Sequence, residues 1–353
     1  MTGPKVIAVP DDYSTIQEAI NAAWDGDTVF VRDGTYYEDV VLNRSLSLVG
    51  ESKRSTIVDG KSGTVVFNVT IGKVEISGFT VQNAFEGISL TNGGNNITDN
   101  VVMNNEWAGI YLFISSGNVI ADNTIVNTGG STWYYGAGIL CNAFSSQNTI
   151  ANNTLDNNTW GIVFTTLDRN ILRGNRILNC TFGFQVENFF EEDIDTSNLI
   201  DGRPIYYLLN QEDLVVDNLA FPSVGFLGIV DSENITVRGL DLQNKGIGIL
   251  FANTNDSIIE NLRIQNNNIG IHLFYSMNNT INDNLIAYNK IAGIYLENCE
   301  SNTVRCNMIS GNFVRLGMTS ENKNNTFYHN SFVNNEAQTN YRSYGSRALG
   351  FKC

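Results

Sequence analysis

A glycine followed by an alternating apolar pair recurs along this chain at Gly87, Gly109, Gly138, Gly161, Gly183, Gly225, Gly248, Gly270 and Gly293, and Arg315 opens a last repeat in the same register. Most of the spacings are 22 or 23 residues. A period of that length marks stacked units, none of which can bury its apolar face alone. The residues one and three places after the glycine are apolar, as in Ile110 and Leu112, Ile162 and Phe164, Ile271 and Leu273, and Ile294 and Leu296. That alternation is a strand with one buried face. Two further short apolar segments follow in each repeat, and nothing between them has a helical period. Three short strands per turn, advancing about 4.8 Å per coil, predict an all-β chain wound as a right-handed parallel β-helix.

Asparagine punctuates the same repeat. Asn96, Asn118, Asn170, Asn234, Asn279, Asn302 and Asn324 fall at one equivalent corner; Asn100, Asn123, Asn153, Asn175, Asn284, Asn307 and Asn330 fall at a second. Asn127, Asn157, Asn179, Asn244, Asn266 and Asn334 suggest a third. Asparagine tolerates the left-handed conformation, and its amide can bond to the coils above and below. These residues are therefore read as architecture. Cys141 takes an inward position between Leu112 and Phe164, as a small core residue rather than a nucleophile.

A solenoid needs its ends covered. Ile16, Ala19, Ile20 and Ala23 are spaced as an amphipathic helix, with Ser14 and Gln17 as its capping box, so residues 1–26 are read as an amino-terminal cap. Coils are expected over 27–337, irregular at 127–137 and at 187–224. Residues 338–353 lose the repeat, which leaves that end open to continuation or to end-to-end self-association.

Composition excludes some functions. A formal charge of -15 lacks the basic footprint that nucleic acid or an anionic membrane requires. No apolar run approaches the roughly 18 residues of a membrane span, and the opening MTGPKVIAVPDD has neither the basic start nor the apolar core of a secretory signal. The five cysteines form no CxxC pair, so neither a zinc site nor a disulfide scaffold is expected. His272 and His329 fall in different coils and are each read as a lone surface histidine, and the methionines are scattered. No metal site and no cofactor are expected, although the acidic turns admit calcium.

The segment DDYSTIQEAINAAWDGDTVFVRDGTYYEDVVLNRSLSLVGE, the asparagine-cornered coils and IDGRPIYYLLNQED at 200–213 together resemble the NosD-like parallel β-helix family, related to pectin-lyase-like carbohydrate-binding and sugar-hydrolysis repeats. The resemblance covers nearly the whole chain. It implies the fold and an extracytoplasmic location, in the periplasm, at the cell surface or secreted. It does not choose an activity, because such repeats serve lyases, hydrolases, epimerases, surface proteins and a copper-maturation factor alike. Asn-x-Ser/Thr recurs, for instance at Asn43, Asn152 and Asn278, but an asparagine-rich repeat followed by threonine generates that pattern automatically.

Two places after the glycine, the outward positions read Ser89, Tyr111, Leu140, Val163, Gln185, Leu227, Leu250, His272 and Tyr295. Glycoside hydrolysis needs two carboxyl groups roughly 5–10 Å apart, and this face offers none in neighbouring coils. Its apolar middle is expected to be covered by an insertion or a partner. Two irregular coils break the repeat. The first offers Trp133, Tyr134 and Tyr135 for stacking on sugar rings. The second offers Glu187, Glu191, Glu192, Asp193 and Asp195 with Arg203. Together they are the expected walls of a glycan cleft, with Glu191 and Asp193 as its acids if it is catalytic. Two functions follow: a non-catalytic glycan-binding or structural surface module, favoured by the missing acid pairs, or a polysaccharide lyase, hydrolase or epimerase.

Overall fold

In a computed structural model of the chain, residues 3–130, 136–165, 169–188 and 190–342 are described, those of 338–342 by backbone alone. The chain divides into two compact units, Met1–Gly202 and Arg203–Cys353. Each is a parallel β-helix.

In the first unit the coils build three parallel stacks, mostly from three short strands each, while the long strands Thr56–Val69 and Thr80–Leu90 each run through two stacks. One stack runs through Glu75–Ser77, Asn96–Thr98, Val119–Ala121, Thr149–Ala151 and Ile171–Arg173. A second runs through Val101–Met103, Thr124–Val126, Thr154–Asp156 and Arg176–Leu178. The third contains the glycine-led strands Ala108–Phe113, Ala137–Asn142, Trp160–Thr165 and Phe182–Glu187. The alternation read from sequence puts one residue of each strand into a continuous inner column. Ile97, Ile120, Ile150 and Leu172 form one, Val102, Ile125, Leu155 and Ile177 another, and Ile110, Ile139 and Ile162 a third, all buried. Cys141 lies inward in register with Leu112 and Phe164. Burial pushes its thiol well above the usual value.

The leading glycine marks an inner corner. A Cβ at Gly109 would lie 2.5 Å from Ile125 Cγ2 and 2.7 Å from the Gly138 carbonyl, so any side chain there would displace both the core and the next coil.

The helix spans Ile16–Ala22, buries Ile16, Ala19 and Ile20, and is capped one residue later than the spacing suggests. Thr15, not Ser14, accepts the N–H of Glu18 at 3.2 Å. Ser14 instead bonds the Glu18 carboxylate at 2.8 Å, and Glu38 accepts the N–H groups of Ile16 and Gln17 at 3.0 and 3.1 Å. A carboxylate from a later coil thus meets the orphan donors of the first turn. Ahead of the helix, Val6–Val9 already pairs in parallel with Thr28–Val31.

The second unit repeats the plan from Arg203–Leu209 through Phe226–Val230, Ile247–Ala252, Ile269–Phe274, Ala292–Glu297 and Val314–Thr319 to Ala337–Arg342. One outward assignment shifts. Gly228, not Leu227, pairs with Leu250, and Leu227 joins the core with Ile229. Phe226 stands where neighbouring coils carry glycine, which sets this coil one residue out of step.

The asparagines divide two tasks that the sequence reading gave to one residue. At the second corner the left-handed residues are Asp99, Asp122 and Asn152, with φ of 54°, 59° and 55°, and the next residue turns inward. Asn100, Asn123 and Asn153 each donate a backbone N–H at 3.0 Å to the Oδ1 of Asn123, Asn153 and Asn175 in turn. At the first corner the buried column is Asn95, Asn118, Asn148 and Asn170, and in the second unit Ser257, Asn279, Asn302 and Asn325. Asn96, Asn234 and Asn324 therefore lie beside the columns, not in them. The same correction applies at the third corner. Asn244, Asn266 and Asn334 are left-handed turn residues, and Asn267, Asn289, Asn312 and Asn335 form the column. A left-handed residue reverses the chain at the surface, and only its successor faces in.

Candidate functional site

The glycine-led stack of the first unit carries the most distinctive outward face. Because the backbone turns at each glycine, the residue before it shares the outer surface with the residue two places after it. Ala108, Ala137, Trp160 and Phe182 accordingly pack with Leu140 and Val163 in one apolar cluster, flanked by Trp107 and Tyr111. Across the later coils this face is closed: Leu140, Val163, Trp160, Phe182 and Gln185 are buried within the single chain.

The earlier coils are more open. Trp107 donates its backbone N–H to the Phe85 carbonyl at 2.8 Å, and that register stacks the two rings, with centroids 5.4 Å apart and planes 17° apart. Tyr111 lies 4.4 Å from Trp107 and 6.0 Å from Phe113. Phe113 is 38% exposed. Beyond it, Ile114 and Phe144 are 60% and 68% exposed and hold φ of 49° and 63°. Bulky residues seldom accept that conformation, and here it turns apolar side chains to solvent beside the aromatic run.

Polar groups edge the same surface. Glu86, one place before Gly87, is 8% exposed, and its Oε2 has no hydrogen-bond partner. Burial raises its carboxyl above the usual range, opposed by a hydrogen bond with Ser89. Burial likewise raises the Tyr111 phenol, which also bonds Asn142 and feels the Glu86 charge. Asn142 Oδ1 accepts the Thr165 hydroxyl at 2.8 Å, and Gln185 donates to Glu187 at 3.1 Å. A half-buried aromatic surface beside a desolvated carboxyl and a few fixed amides and hydroxyls can stack a flat apolar ring and bond hydroxyl groups.

Among the described residues of the first unit, the acids singled out from sequence fall on more than one stack. Trp133, Tyr134 and Tyr135 lie outside the described residues. Glu187 ends a strand of the glycine-led stack, whereas Asp193 belongs to the first stack and pairs with Arg173 at 2.6 Å. Asp195 reaches the same guanidinium at 3.3 Å, and Glu191 pairs with Arg169 at 3.4 Å. Glu192, offered as part of the cleft wall, is fully buried and accepts the Asn170 N–H at 2.6 Å. Arg203 opens the second unit. Sequence reading named Tyr111 and Phe113 as outward but missed Phe85, Glu86 and Trp107. Their only sequence signal is position: they precede the repeat glycine by one or two places.

In the second unit His272 is 5% exposed rather than superficial. Neither ring nitrogen makes a hydrogen bond; Nε2 lies 3.5 Å from Glu297 Oε2, and the Tyr295 ring is 5.3 Å away. On the remaining faces Arg238, Glu260, Asn282 and Arg305 stand in register, as do Asp241 and Arg263, the mixed-sign surface expected of solvated ion pairs.

Residues 20–200 and 183–347 match a family model described as periplasmic copper-binding protein (NosD). A cell surface glycoprotein of Methanothermus fervidus is 34% identical over 187 residues, 43% of this chain and 31% of that protein, so the chain spans about a third of this relative. Among solved structures, the mannuronan C-5 epimerase AlgE4 A-module of Azotobacter vinelandii is 16% identical, with 98% of this chain and 96% of that chain covered at a TM-score of 0.37. The pectate lyase Pel9A is 13% identical, with 87% and 78% covered at 0.43.

Copper in that family description calls for imidazole or soft sulfur donors in a cluster. Among the described residues no three His, Cys, Asp or Glu side chains converge. His272 faces a single carboxylate, and the buried Cys299 thiol, pushed up to about 11, bonds the carbonyls of Leu273 and Glu297. These donors do not fit a copper centre.

Proposed function

The chain belongs to the NosD family, and from that premise we propose a non-catalytic, extracytoplasmic β-helix that binds glycan on the outward aromatic face of its first unit. The observation that carries this reading is the run Phe85, Trp107, Tyr111 and Phe113: Phe85 stacks on Trp107 of the next coil, and the Tyr111 and Phe113 rings continue the run along that coil. Sugars present flat CH faces and a rim of hydroxyls, and aromatic rings flanked by a few fixed polar groups match both. The periplasmic description of the family and the cell-surface name of the relative support a place outside the cytoplasm. No helix among the described residues is long and apolar enough to cross a membrane.

The spacing of acids along the outward columns favours binding over glycoside hydrolysis. Glu86 and Glu187 stand four coils apart, about 19 Å along the stack at one strand spacing per coil. Glycoside chemistry needs them within roughly 10 Å. Glu191 and Asp193 are exposed partners of Arg169 and Arg173. The test is affinity electrophoresis against a polysaccharide panel, with the same mixtures assayed for new reducing ends and unsaturated products. Retardation by at least one polysaccharide, weakened in Trp107→Ala and without products, is the expected result. Turnover abolished by replacing Glu191 or Asp193 would establish a polysaccharide-active enzyme instead.

A further inference from the structure

The aromatic face also bears on which glycans fit, an inference that rests on the glycan-binding reading above. We infer that this face takes uncharged polysaccharide and rejects polyuronates, with Glu86 as the buried charge that excludes a second carboxylate.

Three observations carry it. The outward columns of the stack, from Glu86 and Ser89 through their register partners to Phe182 and Gln185, contain no Lys or Arg. Recognition of a carboxylate relies on such groups, above all the bidentate guanidinium. Second, what acts on Glu86 is burial and Ser89, and what acts on Tyr111 is burial, Asn142 and Glu86 itself. Among the described residues no cation reaches either. Third, Glu86 Oε2 is buried without a hydrogen-bond partner, an unmet group of the kind that a native structure has to account for. Among the described residues no donor meets that oxygen, so a uronate carboxylate on this face would place like charges together in a desolvated site, raising the cost for both. The formal charge of -15 adds long-range repulsion of polyanions.

The experiment compares retention of the full chain by neutral β- and α-glucans and galactomannan with retention by alginate and polygalacturonate, at low and at high salt. At least one neutral polymer should bind with an affinity that salt leaves unchanged, and the uronates should not bind. Trp107→Ala should lose roughly three- to ten-fold, the range of one aromatic contact. Glu86→Gln, which keeps the shape and removes the charge, should raise retention of the uronates at low salt. Binding of uronates equal to or tighter than the neutral polymers, or uronate rejection that Glu86→Gln leaves unchanged, overturns the inference while leaving glycan binding standing. No retention by any polymer, with the parent circular dichroism spectrum intact, overturns both.

Discussion

The Glu192 carboxylate accepts the backbone N–H of Asn170 at 2.6 Å, in the place that an asparagine Oδ1 fills for Asn95, Asn118 and Asn148 in the coils before it. The column therefore continues through an acid. Replacing Glu192 by alanine should strip a buried donor of its acceptor and cost about 1–3 kcal/mol. Glu192→Gln keeps an acceptor and should cost less. Urea denaturation of the three proteins checks the order; equal midpoints would show that Asn170 finds another partner.

Adjacent asparagines should differ sharply. Asn153 accepts from Asn123 through both backbone and side chain, and donates to the Ile120 carbonyl and Asn175. Asn153→Ala leaves several of these groups buried and unpaired, so a loss of at least about 3 kcal/mol is expected. Asn152 next to it is an exposed left-handed residue, where glycine is at ease. Asn152→Gly should shift stability by only a few tenths of a kcal/mol. Comparable losses at the two positions would contradict the division of tasks between turn and column.

Stability should respond to pH through Glu86. Its folded-state carboxyl is raised by burial, so the folded protein binds its proton more tightly than the unfolded chain does. That contribution is fully present below the ordinary glutamate value and is lost as pH rises through the raised one. Glu86→Gln should therefore melt above the parent at neutral pH, with the gap closing near pH 4. Thermal melts across that range test it, and a gap that is constant with pH would place the effect elsewhere.

Thiol labelling should sort the cysteines by depth. Cys141 and Cys299 are buried and Cys306 is exposed, and burial raises the first two thiols, which suppresses the reactive thiolate. In a Cys353→Ser background, iodoacetamide should modify Cys306 in the native protein, and Cys141 and Cys299 only after denaturation. Native modification of Cys141 would break its assignment to the core.

The coil register was legible because it rests on a strict local rule. Ile110 and Leu112 alternate with outward neighbours, and the glycine before them recurs where a Cβ would strike the next coil. Cys141 could be placed from this pattern alone. The asparagine corners were legible to within one residue. Composition shows that asparagine serves the turns, but whether Asn152 or Asn153 points inward depends on which of them takes the left-handed conformation. The candidate site was hardly legible. Glu86 and Trp107 look like turn residues before the repeat, and only the reversal at the glycine carries them onto the outer face.

What the sequence alone determined is the period: one buried face per short strand, a glycine where coils touch, and a small polar residue at each corner. Those requirements are local, so they are written into every repeat. Tertiary structure decided which groups from different coils meet. It ended an asparagine column on Glu192, buried His272, spread the acids at 187–195 over separate stacks, and aligned Phe85 with Trp107 across neighbouring coils. The physical reason is that such neighbours lie about 22 residues apart along the chain and about 4.8 Å apart across the sheet, so their meeting is set by how the coils stack and not by either segment alone.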